Sequence, residues 1–384
     1  MNKSDQNFLF SLLSQPTAPF REQFVSAVAR DFLDRYHLPY FLDPAGNIVI
    51  GVNSVAGYKK LLKDATDEPV RMFMAHMDHP GYHGVKWIDD RRLKVKWHGG
   101  TPTRHVAGAE VYCAGNDGRI GSGRLAGVTL VKGGWAMDSA EIVFKQPLSP
   151  RPPATELFGS FRFRKPVWLQ GKRIYTNAAD DLAGVFTVLR LARKLSRLKG
   201  SAPFIGLLTR GEEVGFVGAI NHFELGWFER YRNKLLCVSL EASRTLPGAV
   251  VGKGPIVRLG DRRTVFNADA LKVATDVAEK LLPNRYQKRI MDGGACEATA
   301  ATIYGLTTIG ITVPLGNYHN QGFEGGPDCR GKAGPAPEFI HIDDLESELL
   351  LCAGLMRRGL PWLQPWQKQK KSLLRNAARY RRLA

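Results

Sequence analysis

The sequence predicts an α/β protein: a mixed, mostly parallel sheet with helices on both faces, interrupted by a small all-β domain. Two patterns of residues along the chain predict this fold. Apolar runs of strand length alternate with helical periodicity before residue 82 and again after residue 171, and such alternation favours a parallel sheet covered on both faces. Residues 82–171 instead hold short strand-like runs separated by Gly, Pro, Asn and Asp. A chain of 384 residues is long enough for both units.

The elements of the sheet domain follow from short apolar runs and from 3.6-residue periodicity. Strands are predicted at 47–51, 72–75, 204–208, 235–240 and 308–313. Helices are predicted at 21–36, 181–198, 267–282 and 343–357. Asn267 is expected to cap the third helix and Pro283 to end it.

The inserted region shows the two-residue alternation of half-buried strands. Leu93, Val95 and Trp97 alternate with polar residues, and four further runs follow, at 111–113, 128–131, 142–144 and 167–169. We therefore assign residues 1–81 and 172–364 to one discontinuous sheet domain, residues 82–171 to the inserted β domain, and residues 365–384 to a basic C-terminal tail.

The basic charge is concentrated in that tail. The net charge is +18, and the last 17 residues contribute 7 of it without any acid, through Lys368, Lys370, Lys371, Arg375, Arg379, Arg381 and Arg382. The first 367 residues therefore carry 18 − 7 = +11. Such an arm is compatible with nucleic acid, with an anionic membrane surface or with solvent alone as its partner.

The overall composition excludes several classes of protein. With 44% hydrophobic and 23% charged residues the chain is neither disordered nor a coiled coil. No stretch approaches the ~18 apolar residues that a membrane helix needs. The five cysteines are scattered and form no CxxC pair, which indicates free thiols in a reducing compartment and argues against a cysteine-rich zinc site. We therefore expect a cytoplasmic protein without a transmembrane segment.

Side chains of metal-binding type lie just after the predicted strands or open the helix after the β domain. They are His76, Asp78, Asp180, Asp181, Glu212, Glu213, Glu241 and His319. Singly, each is more often a capping or solvated residue than a ligand. Ligands of open α/β sheets, however, collect at the carboxyl ends of the strands, and imidazole and carboxylate groups suit divalent metals. Taken together, they predict a metal site at one edge of the sheet.

Six strings in this order resemble the tetrahedral (TET) aminopeptidase family of cocatalytic metallopeptidases, relatives of glutamyl and leucyl aminopeptidases. They are AHMD (75–78), NAADDLAG (177–184), GEEVGFVGA (211–219), VSLEAS (238–243), VGKGP (251–255) and NYHN (317–320). The resemblance extends from the first helix to about residue 360, and the β domain lies where that family inserts one.

The resemblance implies two divalent metal ions per chain, zinc first, with cobalt or manganese as alternatives. It assigns His76 and Glu241 to one ion, Glu213 and His319 to the other, and Asp180 to both. It makes Asp78 the residue that orients a ligand and Glu212 the general base.

The activity implied is removal of N-terminal residues from short peptides. A metal-bound hydroxide would attack the peptide carbonyl, with Glu212 accepting the proton of the water. Two alternatives remain open: a metallo-carboxypeptidase or amide deacylase with the same site, and a nucleic-acid or membrane-surface binder on a retired peptidase fold. Relatives self-associate through surfaces that include the β domain, so a homo-oligomer is also expected.

The sequence departs from the family pattern at several positions. Glu241 replaces the usual aspartate, His79 replaces a common acid, and GGACEA (293–298) replaces a more usual Gly-Thr-Asp-Ala. The basic tail has no counterpart in the family. Whether Asp292 or Glu297 contributes to the site stays open at this point.

Overall fold

The central element of the fold is a mixed eight-stranded sheet, seen in a computed structural model that describes residues 1–66 and 68–381. The strands of the described residues are β1 (Tyr40–Leu42), β2 (Ile48–Ile50), β3 (Val70–His76), β4 (Gly81–Trp87), β5 (Arg92–His98), β6 (Glu110–Gly115), β7 (Gly118–Leu130), β8 (Met137–Phe144), β9 (Phe158–Gly159), β10 (Val167–Gln170), β11 (Arg173–Thr176), β12 (Phe204–Thr209), β13 (Leu235–Arg244), β14 (Ile256–Asp261), β15 (Gln287–Met291), β16 (Thr307–Leu315) and β17 (Glu338–His341). The helices are α1 (Lys3–Leu13), α2 (Gln23–Arg35), α3 (Val55–Asp64), α4 (Leu182–Ser196), α5 (Val217–Glu224), α6 (Ala268–Leu281), α7 (Glu297–Ile303), α8 (Ile342–Leu355) and α9 (Gln367–Tyr380).

The sheet has the order β1-β2-β12-β3-β13-β16-β14-β15. Its four central strands, β12, β3, β13 and β16, run parallel to one another. Antiparallel pairs occur towards the edges, between β1 and β2, β2 and β12, and β14 and β16. The predicted fold class, mixed and mostly parallel, is confirmed.

Strand β3 is buried along its whole length because helices cover both faces of the sheet. Its alternate side chains enter different cores: Phe73 and Ala75 belong to the core that contains residues of α4 and α8, whereas Met72 and Met74 belong to the core that contains residues of α3 and α5. This two-sided burial explains the continuous apolar run of β3, which is typical of a central parallel strand.

The inserted region forms a closed barrel with the order β4-β5-β8-β7-β6-β9, around a core of its own that contains Leu93, Val95 and Trp97. Strand β10, which the sequence analysis places in the inserted domain, is not part of this barrel. It pairs with β11, and β11 pairs with β17, in a separate three-stranded sheet. The division of the chain at residues 82, 172 and 365 stays a prediction.

The basic tail contains α9, which begins after Trp366 and presents no fully buried residue. Arg382, counted among the basic residues of the tail, lies outside the described residues. Within 1–66 and 68–381, no helix combines the length and the apolar character needed to span a bilayer. The five cysteines are free thiols, and four of them are buried.

Candidate active site

Five separate chain segments deliver the predicted metal ligands to one edge of the sheet. His76 is the last residue of β3, and Glu241 lies in the last part of β13. Glu213 follows β12, and His319 follows β16. Because these four strands are parallel, their carboxyl ends lie side by side. Asp180 joins them from the loop that leads into α4.

Asp180 lies between the two histidines and offers one oxygen to each. Its Oδ1 lies 3.6 Å from Nε2 of His76, and its Oδ2 lies 3.6 Å from Nε2 of His319. Beyond His76, Oε2 of Glu241 lies 3.9 Å from Nε2. Beyond His319, Oε1 of Glu213 lies 3.1 Å from Nε2. Two groups of potential ligands therefore share Asp180: one with His76 and Glu241, the other with Glu213 and His319.

Asp181 has a different task from its neighbour, although both are buried. Its side chain accepts a hydrogen bond from the backbone N–H of Gly184, at 3.0 Å, and so caps α4. This is the ordinary role of an aspartate at a helix start. Only Asp180 of the pair faces the two histidines.

Buried oxygen atoms without a hydrogen-bond partner mark the site as fit for cations. Among the described residues they include Oδ1 of Asp180, Oε1 of Glu213 and Oε1 of Glu241. An unsatisfied buried carboxylate oxygen is costly, and several of them converging with two imidazoles is the donor set that a divalent metal prefers. The residues present therefore fit metal ions.

The electrostatics of the group point in the same direction. Burial raises the pKa of Glu212 well above its usual range, and the negative charges of Glu241, Glu213 and Asp78 raise it further against the opposing effect of His76. Burial also raises the pKa of Glu241, to about 8. The carboxylates thus outweigh their cationic neighbours, and a bound cation would favour their ionised forms.

The central pair behaves differently because it is coupled by direct contacts. Burial alone would raise the pKa of Asp180, but the nearby imidazoles of His319 and His76, each 3.6 Å from one of its oxygens, bring it below its usual range. Burial disfavours a charged His319 ring, yet Glu213 and Asp180 outweigh that effect and raise its pKa to about 10. The geometry of the site therefore holds opposite charges together around Asp180.

Asp78 positions the loop after β12. Its Oδ1 and Oδ2 accept hydrogen bonds from the backbone N–H groups of Glu212 and Glu213, at 2.9 and 3.1 Å. The sequence analysis instead expects its carboxylate to orient His76. That carboxylate lies 3.7 Å from Nδ1 of His76, whereas the backbone carbonyl oxygen of Asp78 lies at 3.1 Å. The orientation of the imidazole thus comes from the backbone, and the carboxylate is used to fix Glu212 and Glu213.

Glu338 is a residue of the site that the sequence analysis missed. It is fully buried at the start of β17. Its Oε2 accepts from the backbone N–H groups of Ala179 and Asp180, at 2.7 and 3.2 Å, and its Oε1 accepts from that of His319, at 2.8 Å. Nε2 of His79 lies 3.1 Å from the same Oε1. One carboxylate therefore holds the backbone of two predicted ligands, and His79, unusual for the family, has Glu338 as its partner.

The loop that carries His319 has an uncommon backbone conformation. Asn317, His319 and Asn320 all have φ between 54° and 58°, a region that non-glycine residues seldom adopt. Side-chain hydrogen bonds hold it there, from Asn317 to the carbonyls of Gly325 and Pro337, and from Asn320 to that of Asn177. Gly100 lies so close to His319 that a Cβ at position 100 would be 2.5 Å from Nδ1 of the imidazole, so a larger residue at position 100 would displace this ring.

Two acids considered in the sequence analysis have different positions. Glu297 is buried at the start of α7, and burial raises its pKa to about 7. Asp292 has a side chain that is 64% exposed and lies 4.0 Å from Arg289, so it does not reach the metal-binding group.

A small cleft opens beside Glu241. Its lining includes Gly293 and Gly294 of the departing GGACEA segment and two arginines, Arg244 and Arg258. Arg258 is buried, whereas Arg244 is half-buried, with its guanidinium 4.1 Å from the ring centre of Phe323.

The family model described as M42 glutamyl aminopeptidase matches residues 58–322 of the chain. The chain belongs to this family. Membership makes it a peptide hydrolase and confirms the resemblance found in the sequence. Comparison with curated proteins finds no match.

Solved structures of TET peptidases share the fold of this M42 peptidase. A TET aminopeptidase from a marine sediment archaeon of the Thaumarchaeota aligns over 93% of this chain and 98% of its own, with 17% identity and a TM-score of 0.74. The Pyrococcus horikoshii TET1 peptidase aligns over 92% and 99%, with 20% identity and a TM-score of 0.70. An aminopeptidase from Desulfurococcus kamchatkensis aligns over 95% and 99%, with 19% identity and a TM-score of 0.73.

Proposed function

We propose that the chain is a metal-dependent aminopeptidase that binds two divalent ions and removes N-terminal residues from short peptides. The observation that carries this proposal is the position of Asp180, whose two carboxylate oxygens face different histidines. A carboxylate in that position suits a bridging role between two cations. The family of the chain supports a peptidase acting from the amino end.

The ligands divide into two sets around that bridge. His76 and Glu241 would hold one ion, Glu213 and His319 the other, and we propose zinc first, with cobalt or manganese as alternatives. Bound there, such ions would supply an activated water and polarise the peptide carbonyl. The longer arm of Glu241, compared with an aspartate, is accommodated because its Oε2 still lies 3.9 Å from Nε2 of His76.

Glu212 is the proton carrier of the proposed reaction. It is buried beside both ligand sets, and its Oε2 lies 4.0 Å from Nε2 of His76. Asp78 fixes its backbone, so its carboxylate has a defined direction towards the space that the ligands enclose. It takes a proton from the attacking water and delivers it to the leaving amine.

The cleft beside Glu241 suits an acidic first residue of the peptide. Arg244 takes part in no ion pair among the described residues, and Arg258 adds a second positive charge deeper in the lining. A carboxylate entering this cleft would gain a charge-assisted hydrogen bond. The name of the family, glutamyl aminopeptidase, agrees with this preference.

A library of short peptides with free or blocked ends tests the direction and the first-residue preference together. We expect the metal-loaded chain to cleave peptides with an amidated carboxyl end and to spare those with an acetylated amino end. Chelation should abolish cleavage, and added zinc should restore it. Cleavage of the acetylated peptides alone would favour the carboxypeptidase or deacylase alternative.

The same library tests whether Arg244 recognises an acidic first residue. Arg244→Gln should lower kcat/KM for peptides that begin with glutamate about 10- to 100-fold, because one charged hydrogen bond is lost. Peptides that begin with alanine should be little affected. Arg263→Gln, at an exposed position outside the cleft lining, is the matched control. An equal loss for both kinds of peptide would contradict the assigned preference.

We also propose that the chain forms a homo-oligomer, with the inserted domain in the subunit contacts. The Pyrococcus horikoshii TET1 peptidase is described as assembling into a tetrahedron or a large octahedral shell. Sedimentation velocity should give a mass several times the 42.6 kDa of one chain, and a monomer would contradict the proposal.

A further inference from the structure

Helix α9 is an amphipathic element whose apolar side is exposed to solvent in the part of the chain that the structure describes. Except for the half-buried Gln369, all of its residues are exposed. The exposed fractions reach 67% for Leu373, 60% for Leu374 and 53% for Tyr380. Large apolar side chains that protrude together from one helix indicate a surface that something else covers.

The two sides of α9 differ in chemistry. At 100° per residue, Leu373, Ala377 and Tyr380 fall on one side, which we call the apolar face. The opposite side is cationic and is formed by Lys368, Lys371, Arg375 and Arg379. Lys370 and Arg381 border the apolar face, next to Leu374. No acidic residue occurs between positions 367 and 381.

We propose that α9 binds the surface of an anionic lipid bilayer. A helix with an apolar face and a strongly cationic remainder lies in the plane of the membrane interface, with the apolar side chains among the acyl chains. The six cations of the described part of the tail, Lys368, Lys370, Lys371, Arg375, Arg379 and Arg381, would meet lipid phosphates and carboxylates. The aliphatic stems of Lys370 and Arg381 are long enough to reach the headgroups from the border of the apolar face.

A second copy of this helix suits the apolar face less well. Pairing two copies through Leu373 and Ala377 would bring the bordering Lys370 and Arg381 of both helices together without any acid to offset them. Like charges at such a seam are destabilising. A nucleic acid would satisfy the cations but would leave Leu373 and Tyr380 in water. An anionic bilayer satisfies both sides.

The start of α9 is attached to the sheet domain far from the peptide cleft, so the cleft stays open to substrate. Nε1 of Trp366 donates to Oδ1 of Asp269, at 2.7 Å, in the first turn of α6. That turn lies at the amino end of β16, where the N–H of Asn267 bonds to the carbonyl of Thr308. Leu315 lies seven positions further along β16, a distance of roughly 23 Å along the strand, and His319 lies beyond it. A bilayer held at α9 would therefore lie away from the metal-binding edge.

Vesicle binding tests the proposal with the full chain. The probes are vesicles of phosphatidylcholine alone and vesicles of three parts phosphatidylcholine to one part phosphatidylserine. We expect the chain to sediment with the anionic vesicles at least ~10-fold more strongly than with the neutral ones, and salt should weaken the binding. A chain that ends at Trp366 should lose this binding and keep its peptide hydrolysis.

Two variants of the full chain distinguish the apolar face from charge alone. Leu373→Ser with Leu374→Ser keeps all six cations and should still reduce anionic vesicle binding about 10-fold. Lys132→Gln with Lys165→Gln removes two exposed charges elsewhere and should leave binding unchanged; both variants should keep peptide hydrolysis. Undiminished binding by the leucine variant, or by the chain that ends at Trp366, would overturn the proposal. Tighter, leucine-independent binding to duplex DNA or single-stranded RNA would overturn it in favour of nucleic acid.

Discussion

Replacing Glu212 by glutamine is expected to lower turnover of a peptide amide about 10²–10⁴-fold while leaving the metal content unchanged. Glutamine has nearly the shape of glutamate but cannot accept the proton of the attacking water. The backbone N–H of residue 212 would still donate to Asp78, so the loop after β12 keeps its position. The loss therefore falls on proton transfer and corresponds to about 3–5 kcal/mol of activation free energy.

Glu213→Gln is the matched control, one residue away on the same loop. Oε1 of Glu213 lies 3.1 Å from Nε2 of His319 and has no hydrogen-bond partner. A neutral amide there removes a negative charge from a ligand set, so this variant should lose metal on dialysis. Metal is measured by emission spectroscopy, and turnover on the same samples. Full activity of Glu212→Gln would refute the role of Glu212 as base. Loss of metal from Glu212→Gln but not from Glu213→Gln would mean that Glu212 is the ligand and Glu213 the base.

The second large effect is expected at Glu338, which contacts the ligands only through their backbone. Glutamine at this position presents an oxygen to one set of N–H groups and an NH2 group to the other. Either His319, or Ala179 and Asp180, would then face a donor instead of an acceptor. We expect metal affinity to fall about 10- to 100-fold, as is common when residues that support a metal ligand are changed.

Glu348→Gln is the control for replacing a buried glutamate. Burial raises the pKa of Glu348 to about 8, and its Oε2 accepts a hydrogen bond from the hydroxyl of Thr187. Chelator competition gives the metal affinity of both variants, and thermal unfolding gives their stability. Because the Glu338 effect acts through the metal, excess metal should restore much of the turnover of Glu338→Gln. An affinity equal to that of Glu348→Gln would mean that Glu338 has only a structural role.

The sequence predicts the sheet well because its signals are local. The buried strand β3 reads as an apolar run, and Asn267 caps α6 through a hydrogen bond from the N–H of Ala270, as expected. The convergence of His76 and Glu241 follows from one general rule about parallel strands. These inferences need no knowledge of side-chain contacts.

Other features depend on contacts between distant residues, and the sequence carries little sign of them. Glu338 meets His79 across 259 positions, and nothing around it in the chain marks it as part of the site. The sequence of strand β10 is a short strand-like run similar to those of the barrel strands before it, but its pairing with β11 is set by the tertiary fold. For Asp78, spacing predicts proximity to His76 but not which of its oxygens makes the contact.

The predicted metal ligands are far apart in the sequence, and this spacing determines when the site can form during synthesis and folding. His76 and His319 are 319 − 76 = 243 positions apart, and β16, which leads to His319, pairs with β13 in the interior of the sheet. Synthesis proceeds from the N-terminus at about 5–20 residues per second, so His319 emerges many seconds after His76. Until β16 has emerged and joined the sheet, no part of the nascent chain holds both sets. The aminopeptidase activity proposed for this protein thus arises only late in folding, after β16 has joined the sheet.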